Sequence, residues 1–184
     1  MQPRPQLWLS VFAGLLIVAV GSDGFAQSSA PQLECTVNSS RKTRIAGGDY
    51  DDKTQRVSFD ITLKNKSLSN ATGPLNAVFY TFGESVHDRR AFKLLQKESF
   101  DFDLMARGSH NHATPQIELK FDTTGLSFGE KYRGWILQVH NGEGEMVFEQ
   151  QSSGFINGTA DFANLEIGKF YNHRAEPIPE PKRR

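Results

Sequence analysis

Val57, Phe59, Ile61 and Leu63 alternate with Ser58, Asp60, Thr62 and Lys64, a period of two that puts every second side chain on one face of a half-buried strand. The same period opens at Leu33, Cys35 and Val37, where a strand is expected to run to Ile45. It returns in shorter stretches at 75–82, 90–96, 100–104, 117–121, 132–140 and 146–150. Gly, Asn, Asp, Ser and Pro gather between these stretches, at 47–52 and 65–74 above all, and no helical period of comparable length intervenes. Seven or eight short strands without crossover helices predict an all-β fold, an antiparallel β-sandwich or barrel. Asn141-Gly142 between the last two strands predicts a hairpin, because both residues tolerate positive φ. After Gly154 the pattern changes. Phe162, Leu165, Ile167 and Phe170 fit neither period, and a short helix opened by Thr159 is expected there.

The two ends differ from the middle. Arg4 precedes an uncharged apolar run, 7–20, and Gly24 and Ala26 place small residues three and one positions before a cut after Ala26. This is the pattern of a signal peptide over 1–26, too short for a comfortable membrane anchor, with Ala30 as a second possible cut. Residues 27–32 are expected to be a flexible start and 33–172 the folded body. The product is then exported, periplasmic or extracellular, with no integral membrane segment after cleavage. Pro177, Pro179 and Pro181 among Glu176, Glu180 and the terminal cations predict a disordered, Pro-rich tail over 173–184.

Composition narrows the classes. The chain has 184 residues, 21 basic and 21 acidic, so its formal net charge is zero. It therefore lacks the broad positive footprint that nucleic-acid binding requires. A single Cys excludes an intrachain disulfide and any Cys-rich zinc module, so a hydrophobic core must supply the stability. Cys35 follows Gln32-Leu33-Glu34, not a lipoprotein signal, and reads as a small buried hydrophobe on the first strand.

Leu126-Ser127-Phe128-Gly129-Glu130-Lys131-Tyr132 reads L-x-x-G-x-x-Y before a strand. It resembles the tyrosine corner of fibronectin type III and immunoglobulin-like sandwiches, whose phenol bonds back to the crossing loop. Phe128 stands where the fibronectin version has proline, and the inter-sheet cysteines and strand-C tryptophan of antibody domains are missing. The stretch from Gln32 to about Phe170 also resembles small secreted bacterial proteins with an immunoglobulin-like fold. The resemblance implies a structural role for Leu126, Gly129 and Tyr132, and that the 75–82 and 132–140 strands are neighbours.

That strand poses a parity problem. If Tyr132 and every second residue after it face the core, Trp135, Leu137 and Val139 face outward, against their composition. Either a bulge at Gly134 flips the register or the strand is apolar on both faces. Under both solutions large apolar surface emerges on the far side, and Phe79 against Val78, Tyr80 and Phe82 repeats the theme. The segment carrying Phe155, Phe162, Leu165 and Phe170 would fold back and cover it as a short C-terminal segment packed on one sheet. Alternatively, Phe79, Tyr80, Phe82, Trp135 and Leu137 would form a binding surface for a protein or a glycan.

Catalytic patterns are sparse. No nucleophile elbow, zinc-protease helix or phosphate loop is present, so no cofactor is expected and the leading function is a non-enzymatic binding or structural module. His110-Asn111-His112 could present two imidazoles on one side of a loop, without a third metal ligand at any telling spacing. A metal-dependent hydrolase built on His110 and His112 is the alternative function. A subunit of a surface fibre or secretion assembly, joined through an unpaired edge strand, is the second. Asp49, Asp51 and Asp52 read as an exposed turn, and Asp101 and Asp103 as the wet face of a strand whose other face carries Phe100 and Phe102.

Overall fold

The computed structural model describes residues 32–45, 52–124, 128–157 and 162–182. Among them are ten strands and no helix: β1 (Leu33–Ile45), β2 (Asp52–Asn65), β3 (Leu75–Ser85), β4 (Phe92–Phe102), β5 (Ser109–Ala113), β6 (Ile117–Asp122), β7 (Phe128–Asn141), β8 (Met146–Gln151), β9 (Phe170–Tyr171) and β10 (Pro177–Ile178). Every pairing is antiparallel. In one layer β1 pairs along its whole length with β2, whose other edge takes β6 beside its first half and β5 beside its second. In the other layer the order is β7, β3, β4, β9, β10, with β8 also on β7. A short pairing of β6 with β7, Phe121 opposite Gly129, joins the layers into one continuous order.

The alternation at 57–63 has the meaning it suggested. Val57, Phe59, Ile61 and Leu63 are buried and pack with Ala77, Phe79, Trp135, Leu137 and Val139 from the facing layer. Removal of this surface from water drives the two layers together. The fold is thus all-β and sandwich-like, as the period predicted. Two expected strands, 90–96 and 100–104, are instead one. The polar run between them stays in the ladder, with Leu95 as an extra residue opposite the register shift at Thr81 and Phe82.

β5 was not expected. With β6 it behaves as one strand along β2, interrupted at Thr114 to Gln116, where Pro115 lacks an N–H for the ladder. Buried Thr114 bridges the gap. Its hydroxyl accepts from the Phe59 N–H at 3.0 Å and its own N–H donates to the Phe59 carbonyl at 2.9 Å.

Both solutions to the parity problem on β7 apply together. Phe82 faces Gly134 while Gly83 faces Tyr132, so Arg133 is the extra residue of a bulge. The shift lets Tyr132 and Trp135 point into the same core. Beyond the bulge residues 134–139 are all buried, because the strand's other face carries a second core. There Tyr80, Phe82, Leu94 and Ile136 meet Phe155, Ile156, Phe162, Leu165 and Tyr171. The segment after Gly154 therefore covers the outer face of the sheet, as one of the two readings had it. Gly134 is what allows the contact: a Cβ there would lie 2.5 Å from the Ser152 hydroxyl and 2.6 Å from the Phe155 ring. Thr159 lies outside the described residues, and 162–169 forms turns.

Two local expectations change. In the β7–β8 hairpin positive φ falls on Gly144 (82°), not on Asn141-Gly142. The Gly144 N–H donates to the Asn141 carbonyl at 2.9 Å, and the Asn141 side chain accepts the N–H groups of Glu143 and Glu145. The tail expected to be disordered over 173–184 is ordered where described. β10 pairs with β9, Pro177 opposite Tyr171, and Asn172 accepts the N–H groups of Arg174 and Glu176 to close the turn. Composition misled because one asparagine supplies the turn that the prolines could not.

Cys35 is a free, buried thiol in the first core. Burial pushes its pKa from the ordinary 9.0 up to about 12. Below the unfolded value the thiol is protonated in both states. As pH rises from about 9 toward 12, the unfolded chain releases a proton that the folded chain retains, so folding stability falls through that window. At pH 8 a thiol reagent should label the protein only in denaturant; equally fast labelling of the folded protein would refute the burial.

Candidate functional site

The aromatic surface proposed from sequence is not available for contacts. Phe79, Phe82 and Leu137 are fully buried and Tyr80 and Trp135 nearly so. Phe79, Trp135 and Leu137 face the opposite layer, and Tyr80 and Phe82 lie beneath the 155–171 segment, where Tyr80 meets the Phe162 ring at 5.6 Å. The correction follows from the second core, which makes both faces of β3 and β7 interior.

His110 and His112 stand on β5 and not in a loop, both turned toward β4. His112 stacks on Phe100 with ring centroids 3.9 Å apart, and His110 lies 5.3 Å from Phe102. The His112 Nε2 contacts a Glu98 carboxylate oxygen at 2.7 Å. The pair thus closes the open side of the sandwich where β5 of one layer meets β4 of the other. Among the described residues no three His, Cys, Asp or Glu side chains gather as a metal ion would require. Gly129 and Tyr132 of the corner motif are described, and Leu126 is not. Gly129 has φ of 79° and lies against the β6 backbone. The Tyr132 ring packs 5.7 Å from Phe59 with Arg41 above it. Its phenol pKa is raised, chiefly by burial and against the opposing pull of Arg41 and a hydrogen bond with Ser152.

A concave feature lies elsewhere, where the chain turns at one end of the sandwich. Thr72 to Pro74, Asp101 to Asp103 and His140 to Gly144 enclose an open cleft of about 790 Å³. This end is held by side chains bonding to backbone. Asn65, buried, donates to the carbonyls of Asn70 and Met105 and accepts from the Ser67 N–H. Thr72 donates its N–H to the Leu104 carbonyl at 2.7 Å, and its hydroxyl accepts the Leu104 N–H at 2.8 Å. The loops are therefore placed by a rigid frame, which preorganises whatever they present.

Across the sheet Asp101, Asn76 and His140 occupy one row on three adjacent strands. The Asn76 amide donates to Asp101 at 2.7 Å and to Ser99 at 2.9 Å, fixing one carboxylate oxygen of Asp101. Among the described residues the Asp103 carboxylate and the His140 ring have no hydrogen-bond partner. Phe102 and Pro74 supply apolar wall beside them. The arrangement offers acceptors and an imidazole over a small apolar surface, the mixture that orients a polar ligand. From sequence, Asp101 and Asp103 read only as a wet strand face and His140 as a hairpin flank. Their meeting depends on which strands are neighbours, and the Gly-Pro and Asn-Gly turns beside them were the available signal.

No protein-family model and no curated protein matches the chain. Among solved structures it is similar to a crystal structure from Akkermansia muciniphila, at 15% identity over 68% of this chain and 74% of that one, with a TM-score of 0.31. It is also similar to the structural genomics target SoR45, at 9% identity over 72% of this chain and 92% of that one, with a TM-score of 0.27.

Proposed function

We propose that the chain is an exported, non-enzymatic binding module of the immunoglobulin-like type, and that its ligand is a glycan held in the loop-end cleft. The observation that carries this reading is the cleft's pairing of unengaged Asp103 and His140 with Asp101, which Asn76 holds in place, at the edge of Phe102. Sugar hydroxyls donate to carboxylates and sit over small apolar walls, and a frame bound by Asn65 and Thr72 limits the ordering that binding requires. Export rests on the apolar run at 7–20 and the small residues before Ala26. The immunoglobulin-like assignment rests on the L-x-x-G-x-x-Y motif and the sandwich-like layers.

The test is calorimetric titration of the purified protein with a panel of neutral oligosaccharides. Asp103→Asn and His140→Ala should each weaken binding by about tenfold, the consequence of losing one hydrogen bond of roughly 1.5 kcal/mol, with melting temperature unchanged. Absence of binding across the panel, or variants that bind as tightly as the parent, would refute the reading.

A further inference from the structure

β1 is the long free edge of this fold. It pairs with β2 through thirteen consecutive residues, Leu33 opposite Asn65 to Ile45 opposite Lys53, without a register shift. Among the described residues no strand lies on its other side. The other edges are shorter or interrupted: β10 has two residues and begins with proline, β5 has five residues, the pairing of β8 carries a bulge, and β4, open beyond its pairing with β9 at Phe92 and Lys93, offers a shorter stretch than β1. β1 contains neither proline nor bulge, and from Ser39 to Ile45 it is exposed on both faces. Ile45 is 59% exposed.

We infer that β1 pairs antiparallel with β1 of a second copy, about a twofold axis at Ser39, to make a closed dimer with one sheet running through both subunits. The register is set by the sequence of the strand. Full overlap places Glu34 of each copy opposite Arg44 of the other on the outer face, twice by symmetry, and Leu33 opposite the exposed Ile45 on the inner face. Directly opposed side chains in such a ladder stand about 4.5–5.5 Å apart, close enough for opposite charges to attract and like charges to repel. No cation meets a cation, because Lys42 faces Thr36 and Arg41 faces Val37. A two-residue slide in either direction separates Glu34 from Arg44 and shortens the ladder, and a one-residue slip turns the inner set outward. Within its own subunit Glu34 stands opposite exposed Lys64 in the β1–β2 ladder and contacts exposed Lys66 at 3.2 Å, solvent-screened attractions that compete weakly. Because the contact is isologous it satisfies itself, and the product is a pair and not a fibre. The inference stands independently of the cleft.

Sedimentation equilibrium of the purified protein over a wide concentration range should show a monomer–dimer equilibrium. Glu34→Arg and, separately, Arg44→Glu should each weaken it by at least about tenfold, since each converts both attractive pairs into repulsive ones. The combined Glu34→Arg/Arg44→Glu protein should return to the parent affinity, with circular dichroism unchanged throughout. A monomer at every concentration, a dimer indifferent to the single reversals, or one not restored by the swap overturns the inference.

Discussion

Phe162→Ala is expected to lower folding stability by about 3–5 kcal/mol, the range for deleting a buried phenyl group from a packed core. Phe162 is fully buried, although it stands in a segment with no regular secondary structure. It lies on Tyr80, beside Ile136 and Leu165, and caps the outer face of β3 and β7. Without it a cavity remains or the segment lifts, and either way apolar strand surface meets water. A midpoint drop of about 10 °C and a gain in binding of a hydrophobic dye should accompany the loss. Denaturant titration with unchanged slope is the measurement. A change below about 1 kcal/mol would mean that the 155–171 segment is a loose cover, as expected of surface positions, and would return the outer face to candidacy as a contact surface.

Gly129→Ala should be comparably severe for a different reason. The glycine has φ of 79°, and a Cβ added there would lie 2.1 Å from the Lys120 carbonyl oxygen, a backbone atom that no rotamer change can move. Left-handed backbone costs an alanine about 1–2 kcal/mol, and forcing the strands apart adds about 1–3 kcal/mol. The expected total is on the order of 2–5 kcal/mol. The effect falls on the Phe121–Gly129 pairing, where β7 leaves one layer for the other. Thermal unfolding of the variant decides it, and a melting temperature within a degree or two of the parent would show that the β6 and β7 backbones do not approach so closely. The glycine of the L-x-x-G-x-x-Y motif thus has a local cause in this chain.

How far the fold could be read ahead depended on what each residue's neighbours were. The period at 57–63 was enough to place β2, because burial on one face leaves a regular trace in the sequence. At Trp135, Ile136 and Leu137 the trace contradicted itself, and that contradiction was informative: it marked a strand interior on both faces, with a bulge beside it. β5 left no trace, because Ser109, Asn111 and Ala113 face solvent while the alternate positions carry histidines. Imidazoles stacked on Phe100 and Phe102 act as packing there, a role that single-sequence patterns assign to aliphatic side chains. The cleft was illegible for a different reason. Asp101, Asn76 and His140 come together only through the order β4, β3, β7, and strand order is not written in any one segment. The 173–182 stretch was misread because a turn closed by Asn172 outweighs three prolines when the first of them sits on an edge where no N–H is needed.

The placement of the second core fixes when in its synthesis this chain can settle. Its outer layer includes Phe155, Phe162 and Tyr171, and Tyr171 is tied to Pro177. Until those residues have emerged, β3 and β7 keep one greasy flank in solvent, and a nascent chain halted earlier has no complete tertiary state to fall into. Maturation is thereby postponed until the stretch from Phe155 to Pro177 has emerged, leaving a window in which the polypeptide is still threadable and open to chaperone capture.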